Sequence, residues 1–169
     1  MMSDPVIYSE KVTSKKTEFL FIALTLLFFI LLIWRVMVSS LDILPGVFLF
    51  LFCFFLFYSF NYRTLIIRLT SEFLRLSFGI FTWTIPLNNI GGCQLDDDLP
   101  VLMKYGGAGI HFMVIRNRYR ASFNFLEHSR LVIRLKRKVG LVKDISFSTC
   151  YPNELIQLIQ AAISTNQPA

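Results

Sequence analysis

The stretch that most constrains this chain runs from Phe19 to Phe60, two apolar segments separated by the polar break Ser39-Ser40-Leu41-Asp42. The first segment, Phe19 to Val38, carries one charge, Arg35, and the second, Ile43 to Phe60, carries none. As a helix rising about 1.5 Å per residue, the first is long enough to cross a hydrocarbon core of about 30 Å. Soluble core helices rarely stay uncharged for so long twice in succession, so the pattern predicts a two-helix transmembrane hairpin over 19–60. A secretory signal is the competing reading, prompted by the small residues of Val38-Ser39-Ser40. The apolar run is too long for one, and another follows at once.

The rest of the 169 residues suffices for one soluble domain. We read residues 1–18 as a polar lead-in, flexible or interface-bound, 61–163 as the domain and 164–169 as a fraying tail. Up to Phe60 the charges cancel, Lys11, Lys15, Lys16 and Arg35 against Asp4, Glu10, Glu18 and Asp42, so the whole net charge of +6 lies beyond the hairpin. Lysines flank the first helix, Arg63 and Arg68 follow the second, and the connection holds only Asp42. This asymmetry predicts an integral, two-pass protein with both termini cytoplasmic. Arg35, about one turn from the outer helix end, can snorkel to the interface. Cys53, Cys93 and Cys150 form no C-x-x-C pair, which suggests a reducing compartment and no metal site.

From Leu65 the hydrophobic period changes from helix to strand. Leu65, Ile67 and Leu69 alternate with Ile66, Arg68 and Thr70, and Leu74, Leu76 and Phe78 with Phe73, Arg75 and Ser77. Turns at Thr70-Ser71-Glu72 and near Gly79 make Phe81 to Pro86 a third antiparallel strand. Gly91-Gly92 then reads as opening a loop through Asp96-Asp97-Asp98 to Pro100. Four more strands follow, Ile110 to Arg116, Tyr119 to Phe125, Arg130 to Lys136 and Val142 to Ser148, seven in all. After Pro152 the period returns to 3.6 in Leu155, Ile156, Leu158, Ile159, Ala162 and Ile163, an amphipathic closing helix.

In this order, several motifs resemble the bacterial pleckstrin-homology-like (PH-like) domains of small membrane proteins. Tyr105-Gly106-Gly107-Ala108-Gly109-Ile110 is similar to that family's glycine-rich turn into its second sheet. Phe147-Ser148-Thr149-Cys150-Tyr151-Pro152-Asn153-Glu154-Leu155 resembles its last strand and helix start, and Leu65 to Thr70 its opening strand. The likeness covers about Tyr62 to Ile163, and it implies an α+β PH-like domain, a seven-stranded antiparallel split barrel closed by the C-terminal helix. Tyr151 stands where the family often has a capping Asp, so the cap must come from elsewhere or be missing. The first hairpin turn is short and acidic, unlike the basic loop through which eukaryotic relatives hold phosphoinositides. The resemblance therefore implies a scaffold or oligomer-forming module.

No residue set here suggests catalysis, a cofactor or a metal. Gly106-Gly107-Ala108-Gly109 lacks the lysine of a phosphate loop, Asp96-Asp97-Asp98 reads as a solvated loop, and His111 and His128 sit in no catalytic motif and read as structural. Two cationic groups are the candidate contacts. Arg130, Arg134 and Lys136 share a strand face that Arg137, Lys138 and Lys143 extend around a turn, suited to lipid or a partner. Arg116, Arg118 and Arg120 form a second group, spaced to meet a partner's carboxylates, with no base-stacking motif to suggest nucleic acid. The expected function is a membrane-anchored interaction or scaffold module, an accessory, assembly or self-oligomerising subunit whose partners are the bilayer and a membrane protein or further copies of itself. Anionic-lipid binding through the basic hairpin is the alternative, and a part in a transporter or enzyme complex a third.

Overall fold

The computed structural model describes residues 5–38, 43–96 and 108–165. A strand, β1 (Val6–Thr13), precedes two long helices, α1 (Lys15–Val38) and α2 (Ile43–Asn61). The strands β2 (Thr64–Thr70), β3 (Phe73–Phe78), β4 (Phe81–Pro86), β5 (Ile90–Leu95), β6 (Gly109–Ile115), β7 (Arg118–Asn124), β8 (Ser129–Val139) and β9 (Val142–Thr149) follow, and α3 (Pro152–Thr165) ends the fold. The predicted hairpin agrees with the two helices, both long and apolar enough to cross a membrane. Large apolar side chains such as Phe19, Ile30, Trp34, Phe50 and Phe60 stand exposed along them. The break at 39–42 lies outside the described residues. Between the helices Phe28 stacks on Phe55 with centroids 5.4 Å apart, and Phe29 meets Phe52 at 5.2 Å, so part of the phenylalanine surface packs helix on helix.

Of the expected seven-stranded antiparallel split barrel with its closing helix, the strand-rich domain and the helix form, but the strands are neither seven nor all antiparallel. Among the described residues there are two separate sheets, β1-β2-β3-β4 and β5-β8-β9-β7-β6, and they do not close on each other. The second is mixed, because β9 lies between β8 and β7 and runs parallel to β7, with Ala121 opposite Ile145 and Phe123 opposite Phe147. Two strands escaped the sequence reading. The lead-in holds β1, which pairs antiparallel with β2 from Val6 opposite Thr70 to Thr13 opposite Thr64. Gly91-Gly92, read as opening a loop, lie inside β5, where the register against β8 shifts between Ile90 and Gly92.

The predicted alternation in β2 and β3 holds: Leu65, Ile67, Leu69, Leu74, Leu76 and Phe78 are fully buried. With Leu131, Ile133, Ile145 and Phe147 they form one core between the sheets, and α3 closes it by packing Leu155 and Ile159 against β5 and β8. Glu10 of β1 holds the chain just ahead of α3, without capping the helix itself. Its buried carboxylate accepts hydrogen bonds from Thr149 Oγ1 at 2.6 Å, the Cys150 amide at 2.7 Å and the Tyr8 hydroxyl at 2.9 Å, which fixes the chain entering α3.

The helical hairpin is an insertion between two paired strands, and the segment between β7 and β8 clamps it. Ser14 caps α1 by accepting the Thr17 amide at 3.1 Å, and its own hydroxyl donates to Glu127 at 2.8 Å. Glu127 also accepts the Lys16 amide at 3.0 Å, and a His128 ring nitrogen lies 2.7 Å from the Thr13 carbonyl oxygen. Arg63 pairs with Glu18 across the foot of the two helices. An aromatic column, Phe21, Tyr58, Tyr62, Phe78 and Phe125, runs from the helices into the core with successive centroids 4.3–5.4 Å apart. Gly109, at φ +94°, lets β6 begin beside Tyr58, where a Cβ would come within 3.3 Å of the ring.

Candidate functional site

The candidate site grows out of the face of the five-stranded sheet turned away from the core. Along β7 Ala121 and Phe123 point into the core while Arg120, Ser122 and Asn124 occupy the other face, and along β9 Asp144, Ser146 and Ser148 do the same. All six polar residues are buried. Ser122 and Ser146 share a hydrogen bond across the parallel pair, Asn124 donates to Ser122 at 2.7 Å, and Ser148 accepts the Phe125 amide at 2.9 Å. Burial of so many polar groups is tolerable because most find partners in one another.

At the end of this face remote from the helices, the register brings cations together. Asp144 of β9 lies opposite Arg120 of β7 on one side and Arg134 of β8 on the other. Its carboxylate meets the Arg118 guanidinium at 3.4 Å. Arg120, buried with 6% of its surface exposed, donates to Asp96 at 2.7 Å. Arg116 sits in the β6–β7 turn, where it and Asn117 adopt positive φ. Arg116, Arg118, Arg120, Arg134, Asp144 and Gln94 line a cleft of about 250 Å³. Among the described residues the Nε of Arg120 has no hydrogen-bond partner, nor does the second oxygen of Asp96.

The two predicted groups are thus redistributed. Arg116, Arg118 and Arg120 come together and are joined by Arg134. Lys136, Arg137, Lys138 and Lys143 are exposed around the β8–β9 turn at the same end of the sheet, where the Asn89 amide brackets the Arg137 backbone by accepting its N–H at 2.7 Å and donating to its carbonyl at 3.0 Å. Arg130 does not belong to an exposed ridge. It is buried near the helix-proximal end of β8, where desolvation lowers its hold on its proton and the Asp96 charge opposes that shift. Sequence reasoning missed Asp96, Asp144 and Gln94, although the alternation Asp144-Ser146-Ser148 beside Arg120-Ser122-Asn124 is a signal for a buried polar face.

Other reactive groups are quiet. Cys150 Sγ lies 3.7 Å from His128 Nδ1, but burial, with Glu10 beside it, pushes the thiol up, away from the thiolate a nucleophile needs. Burial alone pushes Cys93 up to about 12. Among the described residues no group of His, Cys, Asp and Glu could hold a metal; Asp97, Asp98 and the Gly106-Gly107 turn lie outside them.

His111, on the polar face opposite Ser122, has its imidazole pKa lowered from the usual 6.5, first by burial and then by the Arg130 charge. The unfolded chain therefore binds this proton more readily than the folded one, and stability is lost as pH falls below 6.5 toward the lower folded value. Unfolding midpoints measured across that window should fall on acidification, and His111→Gln should remove this component. Loss from Glu127, whose carboxyl is lowered by the Lys16 amide and the Ser14 hydroxyl, comes only below its ordinary 4.5.

Comparison of the chain with protein-family models, curated proteins and solved structures finds no match.

Proposed function

We propose that this chain is a two-pass integral membrane protein whose PH-like β-domain is a protein-contact module at the cytoplasmic surface, acting as an accessory, assembly or self-oligomerising subunit. The observation that carries the reading is the insertion of the apolar hairpin between the paired strands β1 and β2, reinforced by the Ser14–Glu127 clamp. Anchor and domain then move as one body, and the domain is held in one attitude to the bilayer, as a fixed contact surface requires. Exposed aromatic and aliphatic residues accompany the cations: Tyr119 and Leu141 near the remote end, and Phe112 on the edge strand β6. A groove of about 280 Å³, lined by Phe81, Trp83, Ile110 and Phe112 among others, runs between β4 and β6, the exposed edges of the two sheets. Arginine and aromatic residues together are the usual composition of protein interfaces.

Anionic-lipid binding by the basic hairpin draws less support, because Lys136, Arg137, Lys138 and Lys143 stand at the end of the sheet remote from the helices. The test is native mass determination of the chain extracted in nanodiscs, with every co-purifying polypeptide identified. A defined multiple of 19.6 kDa or a stoichiometric hetero-complex is expected. A bare monomer with no companion would sink the proposal.

A further inference from the structure

We propose that the tip of the β3–β4 hairpin, Ile80 with Phe81, is a second membrane contact, seated at the boundary of acyl chains and headgroups in the leaflet from which the helices emerge. The inference rests on the reading of α1 and α2 as membrane-spanning, and adds to it a part of the β-domain that touches lipid.

The turn is Gly79-Ile80, between Phe78 and its cross-strand partner Phe81. Gly79, at φ +60°, meets what so tight a hairpin demands of its first position. The second position is usually Asn, Asp or Ser, at ease in water. Here it is an isoleucine with 70% of its surface exposed, and Phe81 beside it is 44% exposed. No charged residue occurs between Arg75 and Asp96. Arg75 lies four residues before Gly79, about 13 Å back along the strand. The tip can therefore leave water without stripping it from a charge on its own hairpin.

The level of the tip is set by α2. Its 19 residues make a helix of about 28 Å, no longer than a hydrocarbon core of about 30 Å, so Asn61 at its end lies at the core boundary. Gly79 packs on that same residue, so closely that a Cβ would fall 2.2 Å from the Asn61 carbonyl oxygen, and the turn is held at the same level. Apolar surface continues from one to the other. Phe54, exposed on α2, meets Tyr58 at 4.6 Å, Tyr58 meets Tyr62 at 4.3 Å, and Phe81 stacks on Tyr62 at 6.3 Å with the rings 11° apart. Exposed apolar surface of this kind marks a contact with protein or membrane, and the level of the tip selects the membrane. Lys15 and Lys16, exposed at the start of α1, bring cations to the height of the headgroup phosphates. Trp83 and Phe112 lie farther from the helices along β4 and β6, which leaves the outer part of the groove between those strands to a protein.

The test places a nitroxide at Ile80→Cys in the full chain carrying Cys53→Ala and Cys150→Ser, with the buried Cys93 kept, in phosphatidylcholine vesicles. Its accessibility is read to oxygen, which concentrates in lipid, and to a water-soluble nickel chelate. Ile30→Cys, midway along α1, and Leu141→Cys, in the β8–β9 turn, are the lipid and water references, both at exposed positions. The Ile80 label is expected to be reached more by oxygen and less by nickel than the Leu141 label. Thr82→Cys, two residues along β4, should show the same preference at shallower depth, and it decides the matter should the Ile80 variant fail to fold. An Ile80 label as open to nickel as that at Leu141, with Ile30 still in lipid, would overturn the proposal and leave the anchor standing, whereas an Ile30 label open to nickel would overturn both. A label closed to both reagents would mean that protein covers the tip, a second copy or another chain, and would equally overturn it.

Discussion

Replacing Glu10 by alanine should destabilise the folded chain by about 3 kcal/mol, the sum expected when several buried donors lose one acceptor. The Glu10 carboxylate is 7% exposed and takes hydrogen bonds from Thr149, the Cys150 amide and Tyr8. Alanine would strand all three and free the junction between β9 and α3, whose Leu155 and Ile159 complete the core. Glu10→Gln keeps an acceptor in place and should cost about 1 kcal/mol. Urea unfolding in detergent, followed by near-UV dichroism, measures both. The Tyr8 hydroxyl supplies an independent readout, since burial and then the Glu10 carboxylate raise its pKa. In Glu10→Ala it should titrate closer to the ordinary tyrosine value of 10.0. An alanine variant as stable as the parent would show that β1 is not what secures α3.

Gly79→Ala should be costlier still, about 3 kcal/mol or more, because two penalties add there. Gly79 turns β3 into β4 at φ +60°, a left-handed conformation that a side chain strains. A Cβ at this position would also lie 2.2 Å from the carbonyl oxygen of Asn61, the last residue of α2, and 2.9 Å from its carbonyl carbon. That neighbour is backbone and cannot swing aside, so the turn and the helix end must separate, loosening the Tyr62–Phe78 contact between them. Gly46 is the control: it lies within the first turn of α2, where an added Cβ would meet nothing within 4 Å, and its change to alanine should alter stability by less than about 1 kcal/mol. Thermal unfolding of both variants decides the matter, and equal midpoints would remove the claim.

Much of this architecture could be read directly because burial follows a simple period. The two helices announce themselves by uninterrupted apolar length, and β2 and β3 by strict alternation with Leu65, Ile67 and Leu69 opposed to Phe78, Leu76 and Leu74. The strand β1 was hidden because its inward residues are Glu10 and Val12, and a buried carboxylate reads as a solvated one until its donors, about 140 residues away, are known. The strand β5 was hidden by Gly91-Gly92, which look like a loop. Alternation tells which face a residue takes and not which strand lies beside it. The parallel pairing of β9 with β7 was therefore out of reach, and so was the cleft, since only that pairing sets Asp144 between Arg120 and Arg134. The arginines were visible as charges, and their convergence was not.

The insertion of the hairpin between β1 and β2 also imposes a timetable. On a growing chain β1 leaves the ribosome first, but β2 is made only after both apolar helices, several seconds later at about 5–20 residues per second. Glu10 waits longer, until Thr149 and Cys150 have been made. In the proposed membrane reading, partition of the helices into lipid precedes the first sheet, and a stalled insertion would leave an unpaired strand on one side of the obstruction and the rest of the domain on the other. The same ordering bears on how the domain can be cut: a piece beginning after Asn61 would lack its first strand, expose the edge of β2 and lose the carboxylate that fastens its last helix.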